Sequence, residues 1–410
     1  MDVRLNCPSG CETIHHKLKC GADVFILPKD RNIKVGAVAV GFGSADLSFF
    51  FEGKSYDVPQ GTAHFLEHKM FDRPEGDISE KFAELGAEVN AFTDNEKTVY
   101  YFKTAANFMD CFRLLLNFVE SIGFKEAESE KSIIGSEIDM YDDYYDRKAF
   151  FGALNELYPS SPLACEIAGT RKSIENIDTD TLYLCHDAFY VPENMTVICV
   201  GDVVADEIMS ETEKIFYGRE KQKAKKYKIS SVCSGGEREI ETDTEVQMFC
   251  IAYPVEKVFS GTKTNMLLKI IGDAAFGECS EIFMELIHQA AVFDVLTVDA
   301  YEHNGQGYIA VSGKSGDAKK AMDIINSGFI KFRNNKIDTR TFYREKKRTL
   351  GSFIRLVDDC ETAMNIQAAY NEKSLAETAE EIHFLSLSEC NEVLGKIGLK
   401  NGRCIVKKNM

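Results

Sequence analysis

The same succession of secondary-structure elements is predicted twice along the 410 residues of the chain. In each half, the spacing of apolar residues predicts a strand, two helices, two strands, several helices and a final strand. A chain of this length should hold about two or three domains of ~150–200 residues. We therefore predict an α+β fold of two tandem homologous α/β sandwich domains, each a mostly antiparallel sheet with helices packed on one face.

A basic stretch separates the two halves. The sequence YGREKQKAKKYKISSVCSGGE, near residues 218–237, contains many lysines together with Ser and Gly, which is typical of a linker. We predict a first domain over residues 1–218, a linker over 219–236 and a second domain over 237–410. A solvated linker explains the lysines, and a binding patch is the alternative.

Composition excludes several classes of protein. A formal net charge of −17 argues against a nucleic-acid partner. No apolar run approaches the ~18–20 residues that span a bilayer, and the N-terminal residues do not resemble a secretory signal. The thirteen cysteines are odd in number and include no CxxC pair, which favours a reducing compartment. We expect a cytoplasmic protein without membrane insertion.

The motif HFLEH places two of the eight histidines on either side of a glutamate. Residues four apart lie on one face of a helix, with Cβ atoms ~5–6 Å apart, so His64 and His68 can reach one metal ion. Catalytic zinc takes three protein ligands and leaves one position open. Glu67 is displaced around the helix and can face a metal-bound water, as in the H-x-x-E-H signature of zinc peptidases.

Two exposed histidines and a solvated glutamate are the alternative explanation of this motif. The apolar residues around it predict a largely buried helix; they are Ala63, Phe65, Leu66 and Met70. Burying two histidines and a glutamate without partners is costly, and this favours the metal site.

Further segments occur in a specific order around this motif: GTAHFLEHKMF, GAEVNAFTDNEKTVYY, EKSIIGSEIDMYDD, IAGTRKSI and NMTVICVGDV. In these segments the chain resembles the pitrilysin/insulinase family of zinc metallopeptidases, the inverzincins with the HxxEH motif, and most of all its bacterial two-domain members. The resemblance covers the first half, and the duplicated plan extends it to the second. It implies a zinc metalloendopeptidase that hydrolyses peptides, with Glu67 as general base and a zinc-bound water as nucleophile.

The resemblance also implies the remaining site residues. Glu137 matches the third zinc ligand, and Glu130, about two helical turns earlier, matches a group that orients the ligands. A solvated acidic helix face is the alternative for both. The segment Asn90, Ala91, Phe92 and Thr93 matches the strand that binds an extended substrate, with Asn90 as the best polar contact. A plain strand and turn is the alternative there.

The chain departs from the family at the groups that stabilise the oxyanion. Related chains carry an arginine and a tyrosine where this chain has Ile287 and Phe293, and neither side chain can donate a hydrogen bond. The resemblance therefore implies a two-chain chamber, as a heterodimer with a zinc-less paralogue that supplies the Arg/Tyr pair, or as a homodimer. A shifted alignment, or a donor role for Tyr301, His288 or His303, is the alternative.

Two other possibilities remain. The chain could be a non-catalytic peptide-binding or scaffolding subunit of a peptidase-like complex, although such subunits usually lose the residues of HFLEH and Glu137. The N-terminal CPSGCETIHH offers Cys7, Cys11, His15 and His16 for a structural zinc. Its spacing matches no closed zinc site, so we favour an ordinary segment leading into the first strand.

Overall fold

The computed structural model describes residues 12–73, 76–123, 128–218, 223–229, 232–259 and 261–409. Cys7, Cys11 and parts of the predicted linker, 219–222 and 230–231, lie outside these described residues. None of the described helices combines the length and the apolar character that a bilayer crossing requires.

The strands of the described chain are β1 (Ile14–Lys17), β2 (Asp23–Pro28), β3 (Lys34–Val40), β4 (Ser48–Phe51), β5 (Lys54–Asp57), β6 (Asp72–Arg73), β7 (Gly76–Asp77), β8 (Ala87–Thr93), β9 (Thr98–Thr104), β10 (Met195–Gly201), β11 (Lys225–Lys226), β12 (Gly236–Thr242), β13 (Gln247–Glu256), β14 (Thr297–His303), β15 (Gln306–Ser315) and β16 (Gly402–Lys408). The α-helices are α1 (Thr62–Phe71), α2 (Ile78–Glu84), α3 (Phe108–Glu120), α4 (Glu128–Asp142), α5 (Tyr145–Leu157), α6 (Arg171–Ile174), α7 (Thr179–Phe189), α8 (Ala205–Phe216), α9 (Gly261–Phe276), α10 (Glu281–His288), α11 (Ala318–Asn335), α12 (Thr339–Leu356), α13 (Cys360–Ala369), α14 (Leu375–Phe384) and α15 (Leu387–Gly395).

The two main sheets share one topology. The first has the strand order β1-β2-β10-β3-β9-β8, and the second has the order β12-β16-β13-β15-β14. In each sheet one pair is parallel, β2 with β10 and β12 with β16, and the following pairs are antiparallel. The strands β2-β10-β3-β9-β8 therefore correspond in order to the whole second sheet. The predicted fold of two similar α+β domains with mostly antiparallel sheets is confirmed.

The chain divides into two compact units, which do not coincide with its two sequence halves. The first unit comprises Met1–Ile138, Glu166–Tyr227 and Ser352–Glu380, and the second comprises Asp139–Cys165, Lys228–Gly351 and Glu381–Met410. The predicted division at residues 219–236 follows the duplication in chain order. That predicted division does not include an exchange of segments: each unit contains one segment from the other half of the sequence.

The exchanged segments supply a helix to the second face of each sheet. In the second unit, α5 packs on β13 and β16, while α11 lies on the opposite face, where its Phe329 packs against Tyr253. The fit of α5 is close, because a Cβ atom added at Gly152 would lie 2.4 Å from the Cys404 sulfur. In the first unit, α13 packs on β3 and β10, and α3 packs on the other face of the same sheet.

Candidate metal centre

Helix α1, which carries the HFLEH motif, begins at a point of close backbone approach. Gly61 precedes the helix with a φ of +88°, and a Cβ atom there would lie 2.5 Å from the carbonyl oxygen of Ala168. A Cβ atom at Gly169, where φ is +77°, would likewise lie 2.6 Å from the carbonyl oxygen of Gln60. A left-handed φ and a backbone neighbour both favour glycine at these positions. The Ala168–Gly169 backbone of IAGTRKSI therefore packs directly against the start of α1.

The helix is buried against the first sheet, as its apolar residues predict. It packs on β8 and β9, and the side chains of Phe65, Leu66 and Met70 are inaccessible to solvent. His64 and Glu67 are each only 8% exposed. Polar groups buried to this degree require partners, so the contacts of these side chains indicate what the site is built to hold.

Two imidazoles and one carboxylate converge at this site. The Nε2 atoms of His64 and His68 lie 3.6 and 3.4 Å from Oε2 of Glu137, which is on α4. The three ligand atoms all lie within 4.8 Å of one another, and among the described residues this is the one group of such side chains that could hold a metal ion.

The geometry of the three side chains fits zinc. Bonds of ~2.0–2.1 Å in a tetrahedral arrangement put neighbouring ligand atoms about 3.3 Å apart, close to the two measured N···O separations. Two imidazoles and a carboxylate are also a donor set that zinc accepts in catalytic sites. The residues present therefore fit the metal that the motif predicts.

Glu130 lies behind the second histidine. Its Oε1 atom is 3.1 Å from Nδ1 of His68, the ring nitrogen that faces away from Glu137. A carboxylate in this position fixes the orientation and tautomer of a metal-binding imidazole. The Nδ1 atom of His64 is buried and has no comparable hydrogen-bond partner among the described residues.

The two histidines experience different electrostatic environments. Burial, together with repulsion from His68, lowers the pKa of His64 to about 4, so its imidazole is neutral. Burial also lowers the pKa of His68, but the hydrogen bonds that its ring donates to Glu130 and Glu137 outweigh that effect and raise it to about 9. The carboxylates therefore stabilise a positive charge here, which is what a metal site requires.

Glu67 is held by a contact that the sequence did not predict. The hydroxyl group of Thr93, at the end of β8, donates a hydrogen bond of 2.5 Å to its Oε2 atom. Burial raises the pKa of Glu67 to about 7, although the Thr93 hydrogen bond opposes this rise. A carboxylate that titrates near neutral pH suits a general base.

The predicted substrate strand lies at the edge of the first sheet. Strand β8 is the last in the strand order, and β9 is its neighbour. Asn90 is exposed and Ala91 and Phe92 are partly exposed, whereas Thr93 is buried beside Glu67. Alternation along a strand puts Asn90 and Phe92 on one face and Ala91 and Thr93 on the other. This alternation is the sequence signal that could have separated Thr93 from Asn90 and Phe92.

The positions where donors were expected lie in the second unit. Ile287, in α10, and Phe293, just after it, are 47% and 64% exposed. Neither is buried in the core of its unit. Tyr301 and His303 are in β14, and His288 ends α10.

The described part of the N-terminal CPSGCETIHH segment forms a strand. His15 lies in β1, its Nε2 atom is 3.0 Å from a carboxylate oxygen of Asp23, and its ring stacks on Phe25 at 4.1 Å. These contacts suit the ordinary strand that we favoured for this segment.

Comparison with known proteins finds two consecutive matches to models of one protein family. Residues 51–171 match the sequence model described as insulinase (peptidase family M16), and residues 176–349 match the one described as the peptidase M16 inactive domain. Together the two matches extend over most of the chain.

Individual relatives agree with these matches. The Bacillus subtilis (strain 168) protein named as the uncharacterized zinc protease YmfH is 29% identical over 400 residues, which are 93% of each chain. The Caenorhabditis elegans mitochondrial-processing peptidase subunit beta is 27% identical over 45% of this chain and 43% of its own length. The crystal structure of an M16-like peptidase from Alicyclobacillus acidocaldarius superimposes with a TM-score of 0.90 at 26% identity, covering 97% of this chain and 98% of that one. The chain therefore belongs to the insulinase family of peptidases, family M16.

Proposed function

We propose that the protein is a zinc-dependent metallopeptidase that hydrolyses extended peptides. The observation that carries this proposal is the convergence, within 4.8 Å of one another, of two imidazole nitrogens from α1 and the Glu137 carboxylate oxygen from α4, beside Glu67 of α1. Relatives named as zinc proteases support the same activity.

Each residue of the site has a role in this reaction. His64, His68 and Glu137 would hold zinc, which when bound polarises a carbonyl group and lowers the pKa of water from ~15.7 towards ~7. Glu67 accepts a proton from the attacking water and later delivers it to the leaving amine. Glu130 orients His68, and the Thr93 hydroxyl orients the Glu67 carboxylate.

The open edge of β8 supports the choice of substrate. An extended peptide can add to an exposed sheet edge through main-chain hydrogen bonds, with its side chains alternating between the two faces. On this proposal Asn90, Ala91 and Phe92 contact the peptide directly. A folded protein has few segments that can adopt this conformation.

Metal analysis tests the proposal directly. We expect about one zinc ion per purified chain, removable with a chelator, together with loss of peptidase activity that returns when zinc is added back. A non-catalytic peptide-binding or scaffolding subunit is the alternative function, and the matched inactive-domain description is consistent with it. A chain that takes up no metal near neutral pH would leave only that alternative.

We further propose that a second chain completes the chamber. Ile287 and Phe293 supply no hydrogen-bond donor, and loss of one oxyanion donor costs about 10²–10³ in turnover in other hydrolases. A homodimer would close the chamber without restoring the arginine, which favours a zinc-less paralogue carrying the Arg/Tyr pair. The relative named as a processing-peptidase subunit is consistent with such an assembly.

This partner proposal predicts slow peptide hydrolysis by the purified chain. Adding the zinc-less paralogue from the same organism should raise the rate at least about tenfold, a cautious fraction of one donor effect. The control is the same paralogue with its arginine and tyrosine replaced by leucine and phenylalanine. Rapid hydrolysis by the chain alone, abolished by substituting Tyr301, His288 or His303, would contradict the proposal.

The cysteines support a cytoplasmic location, which we propose. The described cysteines form no disulfide bond, and most of their side chains are buried. Buried thiols of this kind persist in a reducing compartment.

A further inference from the structure

The substrate strand is supported from behind by a helix from the other half of the sequence. Asn90 and Glu88 of the edge strand β8 lie directly opposite Tyr101 and Lys103 of β9. All four side chains are on the sheet face opposite to α1, because Tyr100, next to Tyr101, packs towards Phe71 of α1. Helix α13, which packs on the same sheet, faces these pairs.

One carboxylate of α13 binds both of the residues behind the edge strand. The Tyr101 hydroxyl donates to Oε1 of Glu361 at 2.8 Å, and the Lys103 ammonium group lies 3.0 Å from Oε2. The same ammonium group lies 3.2 Å from a carboxylate oxygen of Glu88. Glu361 thereby fixes the side chains that stand opposite both polar residues of the edge strand.

The orientation of Asn90 depends on this arrangement. Its Oδ1 atom accepts a hydrogen bond of 2.8 Å from the backbone N–H of Ala91, and its side chain lies beside that of Tyr101, its directly opposite cross-strand neighbour. Burial and the hydrogen bond to Glu361 raise the pKa of Tyr101 to about 12, so the phenol keeps its proton and donates a hydrogen bond to Glu361. The hydroxyl oxygen can then accept from Asn90.

The other end of α13 is attached to the same hairpin. Lys97, in the turn between β8 and β9, is buried, and its ammonium group donates to the carbonyl oxygen of Ala368 at 2.6 Å. A cation at a helix C-terminus and an acidic residue in the first turn both complement the helix dipole. Helix α13 is therefore bound to the β8–β9 hairpin at each of its ends.

We propose that α13 positions the substrate strand, with Glu361 and Tyr101 as positioning residues that hold Asn90 ready for an extended peptide. This inference rests on the proposed peptidase function. Fixing a side chain before binding removes an ordering cost that the ligand would otherwise meet. Tyr101 and Glu361 should therefore affect peptide affinity and leave zinc and the chemical step unchanged.

The test uses Tyr101→Phe, which removes one hydroxyl group and keeps the ring, in the full chain. The Kd for a fluorescein-labelled, unstructured casein peptide is measured in the zinc-loaded Glu67→Gln background. We expect a rise of about three- to tenfold, the range for one ordinary hydrogen bond. In the otherwise unaltered chain, KM should rise to the same extent while kcat stays within about twofold.

Two variants at Glu361 refine the test. Glu361→Ala removes both contacts, whereas Glu361→Gln keeps an oxygen that can accept from Tyr101, so its Kd should fall between those of Glu361→Ala and the parent. The matched control is Asp358→Asn, because Asp358 lies in the same segment and pairs at 3.1 Å with Arg31, which belongs to neither β8 nor β9. Its Kd, zinc content and Tm should equal those of the parent.

The outcomes separate this inference from the proposed function. If the parent binds zinc and peptide but Tyr101→Phe and Glu361→Ala bind peptide equally well, α13 has no positioning role. The same conclusion holds if these variants lose zinc and stability together, since that is a folding effect. A parent chain that binds neither zinc nor peptide would contradict the proposed function itself, and the inference with it.

Discussion

Replacing Glu67 with glutamine should reduce peptide hydrolysis by at least ~10²-fold, the low end for loss of a general base, while zinc content is unchanged. The amide has the same shape as the carboxylate and keeps an oxygen that can accept the Thr93 hydroxyl hydrogen bond. The amide, unlike the carboxylate, cannot accept the proton of an attacking water near neutral pH. The buried site also loses a charge that is costly to desolvate, so stability should not fall.

The measurement pairs initial rates with metal analysis on the same sample. The substitution leaves His64, His68 and Glu137 in place, so zinc should stay bound. Loss of zinc together with activity would show damage to the metal centre instead of loss of the base. Full activity in a zinc-loaded Glu67→Gln chain would rule out Glu67 as the base.

The second large effect concerns Glu137, the proposed third ligand. Glu137→Gln should weaken zinc binding by at least roughly 100-fold, the upper end of the range for residues that only support a ligand. The reason is that a neutral amide replaces the carboxylate whose oxygen lies 3.4–3.6 Å from both imidazole nitrogens. Zinc affinity is measured by competition with a chelator of known affinity.

Asp139→Asn is the matched control for this prediction. Asp139 lies two residues further along α4, is exposed and is not part of the group of three ligands. It carries the same charge on the same helix, so a general electrostatic effect would appear in both variants. Equal zinc affinity in the two would mean that Glu137 is not the third ligand.

Local patterns predicted the parts of the molecule that depend on short sequence distances. The i, i+4 spacing of His64 and His68 is a property of one helix, and the structure places that helix at Thr62–Phe71. The strand at Ala87–Thr93 likewise follows from its sequence. Glu137, by contrast, came from resemblance alone, because no local pattern distinguishes it from the other acidic residues of α4.

Contacts between distant segments could not be predicted in this way. The Thr93–Glu67 bond joins residues 26 apart, and the Tyr101–Glu361 bond joins residues 260 apart. The exchange of α5 and α13 between units was missed for the same reason. Its trace in the sequence is glycine at a helix–sheet contact, since a Cβ atom at Gly402 would lie 2.1 Å from the Ala153 carbonyl oxygen. A glycine in the sequence can indicate close packing, but it does not identify the segment that packs against it.

The exchange of segments has a consequence for synthesis of the chain on the ribosome. The unit that carries HFLEH includes Ser352–Glu380, so its sheet lacks α13 until most of the polypeptide has been made. Domains usually fold as units during synthesis, beginning at the N-terminus. We therefore expect the nascent first half to expose apolar surface on β3 and β10 until α13, in the second half of the sequence, has been synthesised. The two halves should therefore complete their folding together.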